Sequence, residues 1–408
     1  MCQTKVIHLP PSKSIAAREL MVDHLLFSSA RERYQYYKAL YDRDLPVDVI
    51  VLGEALKRLE EQGGGEVALD CHESGTALRF LTALAALRSS PTTLHCSSRL
   101  AERPLTPLLS VYEGLGAHFT WHGTTLHVSP AKSRRFNSTI DTTHWSSSQF
   151  ASSILLTAPL LDWNTLRLKV APEAPSFSYL WLTIQLLRAR GIECTYTGEV
   201  IEIKRISPIS ATLKPVEADW SSTSYIYQLL AIGGETEPIY LPGLQSNSHQ
   251  PDAKITDIFA LWGVSLDDNQ VLHRTGSLRP RKLDLDLSQQ IDLFPALAVT
   301  CTATGVPFHF RGIKTLRHKE SDRLCAVREG LENLGYSGFT TGANTLSWDG
   351  TEPATPTRGA HITTYNDHRI TMAFAILDAA RDLGLHLSDK ESVTKSFPSF
   401  WEQLSQLQ

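Results

Sequence analysis

A cluster of small polar residues, followed at once by an apolar run with helical character, recurs six times along this chain. The six copies are PSKSIAARELMVDHLL, ESGTALRFLTALAAL, SSSQFASSILLTAPLL, DWSSTSYIYQLLAIGG, QIDLFPALAVTCTA and YNDHRITMAFAILDAA. When the copies are marked by Lys13, Ser74, Ser147, Ser221, Asp292 and Asn366, the successive gaps are 61, 73, 74, 71 and 74 residues. Such regular spacing over the whole chain indicates a structural repeat.

Each copy predicts a helix buried in a domain centre. The polar cluster supplies the Ser, Thr, Asp or Asn side chains that cap a helix N-terminus, and the run behind it is apolar nearly all round. Between the copies lie strand-like runs (TLHVSP, TLRLKV and VIEIKRI) and amphipathic segments (PLTPLLSVYEGLG and ITDIFALWGV). We therefore expect an α/β fold of two similar domains, each built from three repeats with the helices inside and the sheets outside.

The charge pattern directs attention to local anion sites. The 408 residues carry a formal net charge of −4, and no basic stripe suggests a nucleic-acid-binding module. Helix N-termini that point the same way nevertheless sum partial positive charge and bind anions. In TLRHKESDRL, a helix would place Lys319 and Arg323 on one face. In a dry cleft these two cations would repel by roughly 3 kcal/mol, so we expect anions between them.

Other features argue against other classes of protein and site. No apolar run approaches the roughly 20 residues that cross a bilayer, and the start MCQTKVIHLPPSKS lacks the apolar core of a signal peptide. The six cysteines lack CxxC spacing, which favours reduced cytosolic thiols. In AHFTWHGTTLHVSP, alternation around a Gly-Thr-Thr turn predicts a hairpin rather than a helical metal site at His118 and His122.

Nine motifs in chain order connect the sequence to a known family. They are PPSKSIAAREL, ESGTALRF, AERPLTPLL, SSSQF, VEADWSSTSY, QIDLFPAL, LRHKESDRL, YNDHR and TKSFPSFW. Through them nearly the whole chain resembles the 3-phosphoshikimate 1-carboxyvinyltransferase family of enolpyruvyl transferases. The combination of KESDR and NDHR is the strongest part of this resemblance.

The resemblance implies a fold and an activity. The fold is two inside-out α/β barrel-like domains, residues 14–216 and residues 1–13 with 217–408, that close on their substrates. The activity is transfer of the enolpyruvyl group of phosphoenolpyruvate to the 5-hydroxyl of shikimate 3-phosphate, with release of phosphate, in the shikimate pathway. The resemblance further implies no metal or other cofactor, no nucleic-acid or membrane partner, a cytoplasmic monomer, and inhibition by glyphosate.

The resemblance also implies roles for single residues. Proton transfer is assigned to Asp292 at the hydroxyl, to Glu320 at the methylene carbon, and to Lys13. Phosphoenolpyruvate binding is assigned to Lys13, Gly75, Thr76, Arg103, Gln149, Arg323, Arg369 and Lys395. Shikimate 3-phosphate binding is assigned to Lys13, Ser14, Arg18, Ser147, Ser148, Gln149, Asp292 and Lys319. Several cations suit this chemistry because the two substrates together carry two carboxylates and two phosphates.

Four residues also have structural interpretations, which the sequence leaves open. Asp292 is placed to cap the apolar helix that follows it, and Glu320 is placed to pair with Arg323 or a neighbouring Arg. Gly75 suits a tight turn before its helix as well as close approach to a ligand. His368 suits either the orientation of a carboxylate or a structural hydrogen bond.

The chain departs from the family pattern at several positions. In APEAPSFSY, Glu173 stands where the family has a phosphate-contacting serine, Ala174 where it has a cation, and Ser176 where it has a tyrosine. Thr315 and Phe80 replace a common Asn and a common Pro. In the first repeat, SSARERYQYYKALYDRDLP has little β character, so we expect one strand there to be altered or missing.

Two alternative functions remain at this stage. The related enolpyruvyl transferase acting on UDP-N-acetylglucosamine carries a loop cysteine, and Cys96 lies seven residues before Arg103, but KESDR fits the shikimate enzyme better. The carboxylate of Glu173 would suit a non-catalytic protein of this fold that binds a phosphorylated metabolite.

Overall fold

The chain divides into two compact units, each with its own hydrophobic core. The computed structural model describes residues 4–136, 139–145, 147–162, 165–204, 213–233, 237–276 and 278–407. The N-unit comprises Lys13–Val216, and the C-unit comprises Met1–Ser12 with Glu217–Gln408.

The described residues form fourteen α-helices and eighteen strands. The helices are α1 (Lys13–Phe27), α2 (Ala30–Tyr41), α3 (Val47–Gln62), α4 (Gly75–Ala86), α5 (Ser98–Ala101), α6 (Thr106–Glu113), α7 (Ser148–Thr157), α8 (Phe177–Ala189), α9 (Trp220–Ile232), α10 (Ile255–Phe259), α11 (Phe294–Ala303), α12 (Arg323–Asn333), α13 (His368–Arg381) and α14 (Phe400–Ser405). The strands are β1 (Lys5–Val6), β2 (Val67–Asp70), β3 (Thr92–His95), β4 (His118–His122), β5 (Thr125–Ser129), β6 (Ile140–Asp141), β7 (Thr165–Lys169), β8 (Glu193–Tyr196), β9 (Val200–Lys204), β10 (Ile239–Tyr240), β11 (Val264–Leu266), β12 (Val271–Arg274), β13 (Leu283–Asp286), β14 (Phe308–Arg311), β15 (Phe339–Thr341), β16 (Thr345–Trp348), β17 (His361–Ile362) and β18 (His386–Leu387).

Four repeats share one strand topology. In each, the first strand pairs in parallel with the second, the second pairs antiparallel with the fourth, and the third lies at the edge. The four sheets have the orders β2-β3-β5-β4, β6-β7-β9-β8, β1-β10-β12-β11 and β13-β14-β16-β15. A shorter version pairs β17 in parallel with β18 around α13. Four of the five parallel pairs are connected through one buried helix, as parallel pairing requires. The exception is β1 with β10, which are separated in sequence by the whole N-unit and α9.

The six predicted repeat helices all form, and each begins within two residues of its marker. In the N-unit α1, α4 and α7 pack on one another, and in the C-unit α9, α11 and α13 do the same. Side chains of Ser74, Ser147, Asp219 and Asp367 accept hydrogen bonds from backbone N–H groups at the starts of four of these helices. The prediction of buried repeat helices is therefore confirmed, and the predicted side-chain caps form at four of the six.

The first repeat departs further from the pattern than expected. Within the described residues 13–66 there is no strand, and helix α2 occupies the segment. Its residues Ala30, Tyr34 and Tyr37 follow helical spacing and are buried. The fully buried Arg33 pairs with the equally buried Asp23 of α1. The prediction of one altered strand was wrong in extent, because an amphipathic helix replaces the strands.

Other local predictions are confirmed. Strands β4 and β5 form the hairpin expected around Gly123, with His118 and His122 both on its exposed face. Strands β7 and β9 and helices α6 and α10 occupy the expected segments, while Arg205 and Ile206 of the run VIEIKRI lie outside the described residues. None of the helices in the described ranges has the length and hydropathy needed to span a membrane.

Candidate active site

Asp292 is the meeting point of three cations in the C-unit. It lies in the short 3-10 turn before α11. Its carboxylate is 2.8 Å from Nη1 of Arg323, 3.1 Å from Nη2 of Arg369 and 3.6 Å from Nζ of Lys319. The N-cap residue of α11 is Leu293 and not Asp292, and the carboxylate of Asp292 is paired with the three cations.

Arg323 lies at the centre of the same network. Its side chain is only 2% exposed. It donates from Nε to Asp367 at 2.8 Å and from Nη2 to Glu320 at 2.8 Å, and Glu320 also lies 3.7 Å from Nζ of Lys395. A guanidinium this buried is stable only with such partners, since desolvation of an unpaired charge is costly. The alternative interpretation of Glu320, an ion pair with Arg323, is thus present in the structure.

The predicted helical face carrying Lys319 and Arg323 was wrong. A 3-10 turn ends at His318, Lys319 is extended, and α12 begins only at Arg323. The anion between the two cations is a protein carboxylate, that of Asp292. An anion does lie between the two cations as expected, but it belongs to the protein itself.

This arrangement shifts the pKa values of its members. Burial would raise the pKa of Asp292, but Arg369, Lys319 and Arg323 outweigh burial and hold it well below its usual value. Burial would likewise lower the pKa of Arg323, but three carboxylates raise it above its usual value. Asp292 and Arg323 are therefore both charged at neutral pH.

Asp252 forms a second acidic position behind the network. It is 1% exposed and accepts a hydrogen bond from the Ser221 hydroxyl of α9. Burial, and next the charge of Asp292, raise the pKa of Asp252 to about 7, although Arg369 and Ser221 act in the opposite direction. Two neighbouring carboxyl groups are therefore pushed apart in acidity, a pattern common at catalytic sites.

The start of α4 in the N-unit brings two guanidinium groups close to Gly75. A Cβ atom at Gly75 would lie 2.6 Å from Nη1 of Arg79 and 2.9 Å from Nη1 of Arg103. Gly75 is the first residue of α4 and is not among the residues with positive φ. The tight-turn interpretation is therefore not supported, and the missing side chain instead leaves room for the two cations.

Gln149 joins this group from the start of α7. Nη1 of Arg79 donates to Oε1 of Gln149 at 2.9 Å and to the carbonyl oxygen of Gly75 at 2.9 Å. Nε2 of Gln149 donates to Oγ1 of Thr76 at 3.2 Å. The structure thus brings together four residues that the resemblance assigns to phosphoenolpyruvate, namely Gly75, Thr76, Arg103 and Gln149.

Arg18 is a buried cation held by neutral groups. It is 3% exposed, donates from Nε to Thr183 at 2.7 Å, and donates from Nη1 to the carbonyl oxygen of Ser14 at 2.8 Å. Across the described ranges it has no acidic ion-pair partner, and burial lowers the pKa of Arg18 to about 10. A buried cation without a carboxylate is favourable for binding an anionic ligand.

Lys13, the first residue of α1, has an acidic partner that the sequence did not indicate. Its Nζ lies 3.0 Å from Oδ2 of Asp48 on α3, a side chain that is 7% exposed. Asp48 therefore holds the Lys13 ammonium in place from within the N-unit.

Ser147 and Ser148 line a small cavity beside the segment where the chain departs from its family. The cavity has a volume of about 20 Å³ and is also lined by Trp145, Ala174 and Phe177. Ser147 caps α7, so its hydroxyl oxygen already accepts a backbone hydrogen bond. Glu173 is exposed, and Ser176 adopts a left-handed conformation with φ of 62°.

Sequence reasoning left four supporting residues without a role: Asp48, Arg79, Asp252 and Asp367. Arg79 and Asp367 lie inside quoted motifs, so the motifs themselves were a signal. Asp48 and Asp252 sit in segments with no motif, and only tertiary contacts show their place. The ring of His368 is 1% exposed, with Nδ1 3.9 Å from Asp367, which leaves its two interpretations open.

Comparison with known proteins gives one consistent result. The family model described as EPSP synthase (3-phosphoshikimate 1-carboxyvinyltransferase) matches residues 36–404. A 3-phosphoshikimate 1-carboxyvinyltransferase from Bacteroides fragilis is 32% identical over 406 residues, which covers 98% of this chain and 94% of that protein. One from Methanoculleus marisnigri is 31% identical over 415 residues, with 97% and 94% covered.

Solved structures show the same fold. EPSP synthase from Acinetobacter baumannii superposes with a TM-score of 0.68 at 19% identity, covering 100% of this chain and 96% of that one. The enolpyruvyl transferase NikO from Streptomyces tendae superposes with a TM-score of 0.62 at 16% identity, covering 100% and 95%. The predicted fold class is thereby confirmed.

Proposed function

The chain belongs to the EPSP synthase family, and from this premise we infer what its residue groups do. It is an enzyme of the shikimate pathway that transfers the enolpyruvyl group of phosphoenolpyruvate to shikimate 3-phosphate. The observation that supports the residue roles best is the C-unit network of Asp292, Glu320 and four cations.

We propose that phosphoenolpyruvate is bound by two groups of residues. In the C-unit these are Arg323, Arg369 and Lys395, whose charges are at present met by Asp292 and Glu320. In the N-unit they are Gly75, Thr76, Arg103, Gln149 and Lys13. Arg side chains suit this ligand because a guanidinium binds carboxylate and phosphate oxygens in pairs.

Shikimate 3-phosphate is assigned to Ser14, Arg18, Ser147, Ser148, Gln149 and Lys13 of the N-unit and to Asp292 and Lys319 of the C-unit. Arg18 supports this assignment because it is a buried cation whose observed partners are neutral. The two serines lie at the start of α7, where a helix N-terminus favours a phosphate.

The reaction is an addition followed by an elimination. The substrate hydroxyl gives up its proton and bonds to C2 of phosphoenolpyruvate, while C3 gains a proton and becomes a methyl group. The adduct then expels phosphate as the methyl group returns a proton. In this proposal Asp292 accepts the hydroxyl proton and Glu320 serves the methylene carbon, with Lys13 as a further proton carrier.

The low pKa of Asp292 limits its ability to accept the hydroxyl proton. Held by Arg369, Lys319 and Arg323, the carboxylate is ionised but weakly basic. When the anionic groups of a substrate engage the same cations, their hold on Asp292 weakens and its basicity rises. The base would therefore become effective only after the substrate is bound.

Further proposals rest on the family alone. The protein is a cytoplasmic monomer that glyphosate inhibits, and its domains are residues 14–216 and residues 1–13 with 217–408, which differ from the two compact units only in the placement of Lys13. Reduced thiols fit the cytoplasm, since the five described cysteines are free. The family match supports shikimate 3-phosphate over UDP-N-acetylglucosamine as acceptor and a catalytic over a purely binding function.

The test is release of inorganic phosphate from phosphoenolpyruvate plus shikimate 3-phosphate. We expect Glu320→Gln to lower kcat by about 10²- to 10⁴-fold, the usual contribution of a positioned acid or base. As a control, Glu332→Gln changes an exposed glutamate near the end of α12 and should retain wild-type turnover. Unchanged turnover in Glu320→Gln would remove Glu320 from the mechanism. A parallel assay with UDP-N-acetylglucosamine should release no phosphate.

A further inference from the structure

The contacts at the starts of α4 and α7 point to a positioning residue. We propose that Arg79 fixes the side-chain amide of Gln149 so that this amide donates hydrogen bonds to substrate oxygen atoms. The proposal rests on the assignment of Gln149 to substrate binding made above. Arg79 itself would not touch the substrate.

Arg79 is held on several sides. It is 5% exposed, and its Nη1 is 2.9 Å from Oε1 of Gln149 and 2.9 Å from the carbonyl oxygen of Gly75. Its guanidinium carbon lies 5.5 Å from the centre of the Phe150 ring, in a cation–π contact. Because Gly75 belongs to α4 and Phe150 to α7, the guanidinium links the two helix starts. Its position is thus defined by packing as well as by hydrogen bonds.

The chemistry of the guanidinium decides which way the amide of Gln149 faces. A guanidinium has five N–H donors and no acceptor, so its neighbour must be the amide oxygen. The Nε2 group then faces the other way, where one of its hydrogens is donated to Thr76 at 3.2 Å. The second hydrogen can be donated to a ligand.

This orientation selects for substrates rich in oxygen acceptors. Both proposed substrates present carboxylate and phosphate oxygens, which accept hydrogen bonds and cannot donate them when ionised. Without Arg79, the amide of Gln149 could rotate by half a turn and present its own oxygen to these anions. Binding would then lose a hydrogen bond and gain a repulsion.

A double-mutant cycle tests the proposal, with kcat/KM for each substrate as the readout. Arg79→Met and Gln149→Met each remove hydrogen bonding and keep an unbranched apolar chain. A hydrogen bond to a charged group corresponds to about a 10- to 100-fold effect, so each single variant should lose that much. Because Arg79 acts through Gln149, kcat/KM of the double variant should be no more than about threefold below that of the less active single variant.

The outcomes separate the proposal from its premise. Multiplicative losses in the double variant would show that Arg79 acts independently and would overturn the proposal. Wild-type kcat/KM in Gln149→Met would instead refute the binding role of Gln149. As a matched control, Arg88→Met changes an arginine just beyond the other end of α4, and its effect should multiply independently with that of Gln149→Met.

Two further variants keep the test valid if Arg79→Met folds poorly. Gln149→Glu retains an acceptor for Arg79 but carries no N–H group and adds a negative charge, so it should keep the melting temperature and lose at least as much kcat/KM as Gln149→Met. Full activity in Gln149→Glu would contradict the donor role. Arg79→Lys keeps the charge and serves as the partner in a second cycle, in which the same lack of additivity is expected.

Discussion

At the scale of single residues, the polar side chains of the candidate site are fixed before any ligand is bound. Asp292 binds Arg323 and Arg369 directly, and Asp48 holds Lys13. Groups fixed in this way need little reorganisation when charge develops during a reaction. Small changes at such positions should therefore affect function more than their size suggests.

Gly75→Ala should weaken glyphosate inhibition more than it changes shikimate 3-phosphate affinity. The added Cβ would press on Nη1 of Arg79 at 2.6 Å and of Arg103 at 2.9 Å, and both groups border the proposed phosphoenolpyruvate pocket. We expect the glyphosate inhibition constant to rise by about tenfold or more, an effect of about 1.4 kcal/mol. The KM for shikimate 3-phosphate should change much less.

The control for that experiment is Gly65→Ala. A Cβ at Gly65 would have no heavy atom within 4 Å, so neither constant should move. Equal changes in glyphosate inhibition and in shikimate 3-phosphate KM for Gly75→Ala would contradict the assignment of Gly75 to one ligand.

Asp252→Asn should make the protein more stable than wild type, and increasingly so as the pH rises from about 4 to 7. The folded pKa of Asp252 is about 7 against an ordinary value of 3.8. Between these values the unfolded chain has lost the proton and the folded chain retains it. Wild-type stability therefore falls by about 1.4 kcal/mol per pH unit relative to an uncharged residue, and the difference is constant above pH 7.

Urea unfolding of both proteins from pH 4.5 to 8.5 measures this difference. Asp257→Asn, at an exposed position on α10, should show no comparable trend. A difference between Asp252→Asn and wild type that does not change with pH would show that Asp252 is ionised throughout.

At the scale of helices and strands, the sequence predicted what depends on local pattern. Capping residues before apolar runs marked all six repeat helices, and alternation around Gly123 marked the hairpin of β4 and β5. Both signals arise from neighbours in sequence: a capping side chain bonds to its own helix, and hairpin alternation reflects its own two faces.

What depends on distant partners was not predicted. The helical start assumed at Lys319 failed because the chain there extends to meet Asp292, which lies 27 residues earlier. Helix α2 was read only as a weak strand region, although its Tyr34 and Tyr37 follow helical spacing. The supporting roles of Asp48 and Asp252 could not be read from the sequence because each depends on a side chain from another element.

Gly53→Ala should destabilise the protein by about 1 to 3 kcal/mol. Helix propensity alone would favour alanine in the middle of α3 by about 1 kcal/mol. However, the new Cβ would overlap the ring of Tyr34, which packs from α2 and donates to Glu54 at 3.0 Å. The sign of the change therefore decides whether this packing of α2 on α3 is correct.

Urea unfolding of Gly53→Ala measures that sign. A second variant, Gly53→Ala with Tyr34→Leu, removes the ring that would clash and should recover part of the loss relative to Gly53→Ala. If Gly53→Ala instead unfolds at a higher urea concentration than wild type, helix α2 does not pack on α3 as described.

At the scale of the whole molecule, attraction of the substrates must be local. The net charge is −4, yet the ligands are strongly anionic. The C-unit gathers Lys319, Arg323, Arg369 and Lys395 within one network, where carboxylates partly balance them. We therefore expect the protein to bind its anionic substrates through arranged cations and helix N-termini, against the sign of its overall charge.

This balance predicts a salt dependence of binding. Salt at about 0.5 M screens charges over roughly 4 Å, compared with about 14 Å at 0.05 M, so the KM for phosphoenolpyruvate should rise several-fold between these KCl concentrations. The value of kcat should change less, because bound groups at contact distance are screened least. Sucrose at matched osmotic strength should leave KM unchanged.

Two variants link the salt effect to the proposed site. Arg369→Gln removes a cation of the network and should raise KM at low salt while making KM less sensitive to added KCl. Lys254→Gln removes an exposed cation that pairs with Asp257, so the salt dependence of its KM should match that of wild type. If KM depends on KCl concentration equally in wild type, Arg369→Gln and Lys254→Gln, Arg369 does not contact an anionic group of the substrate. The assignment of the C-unit network to phosphoenolpyruvate would then fail.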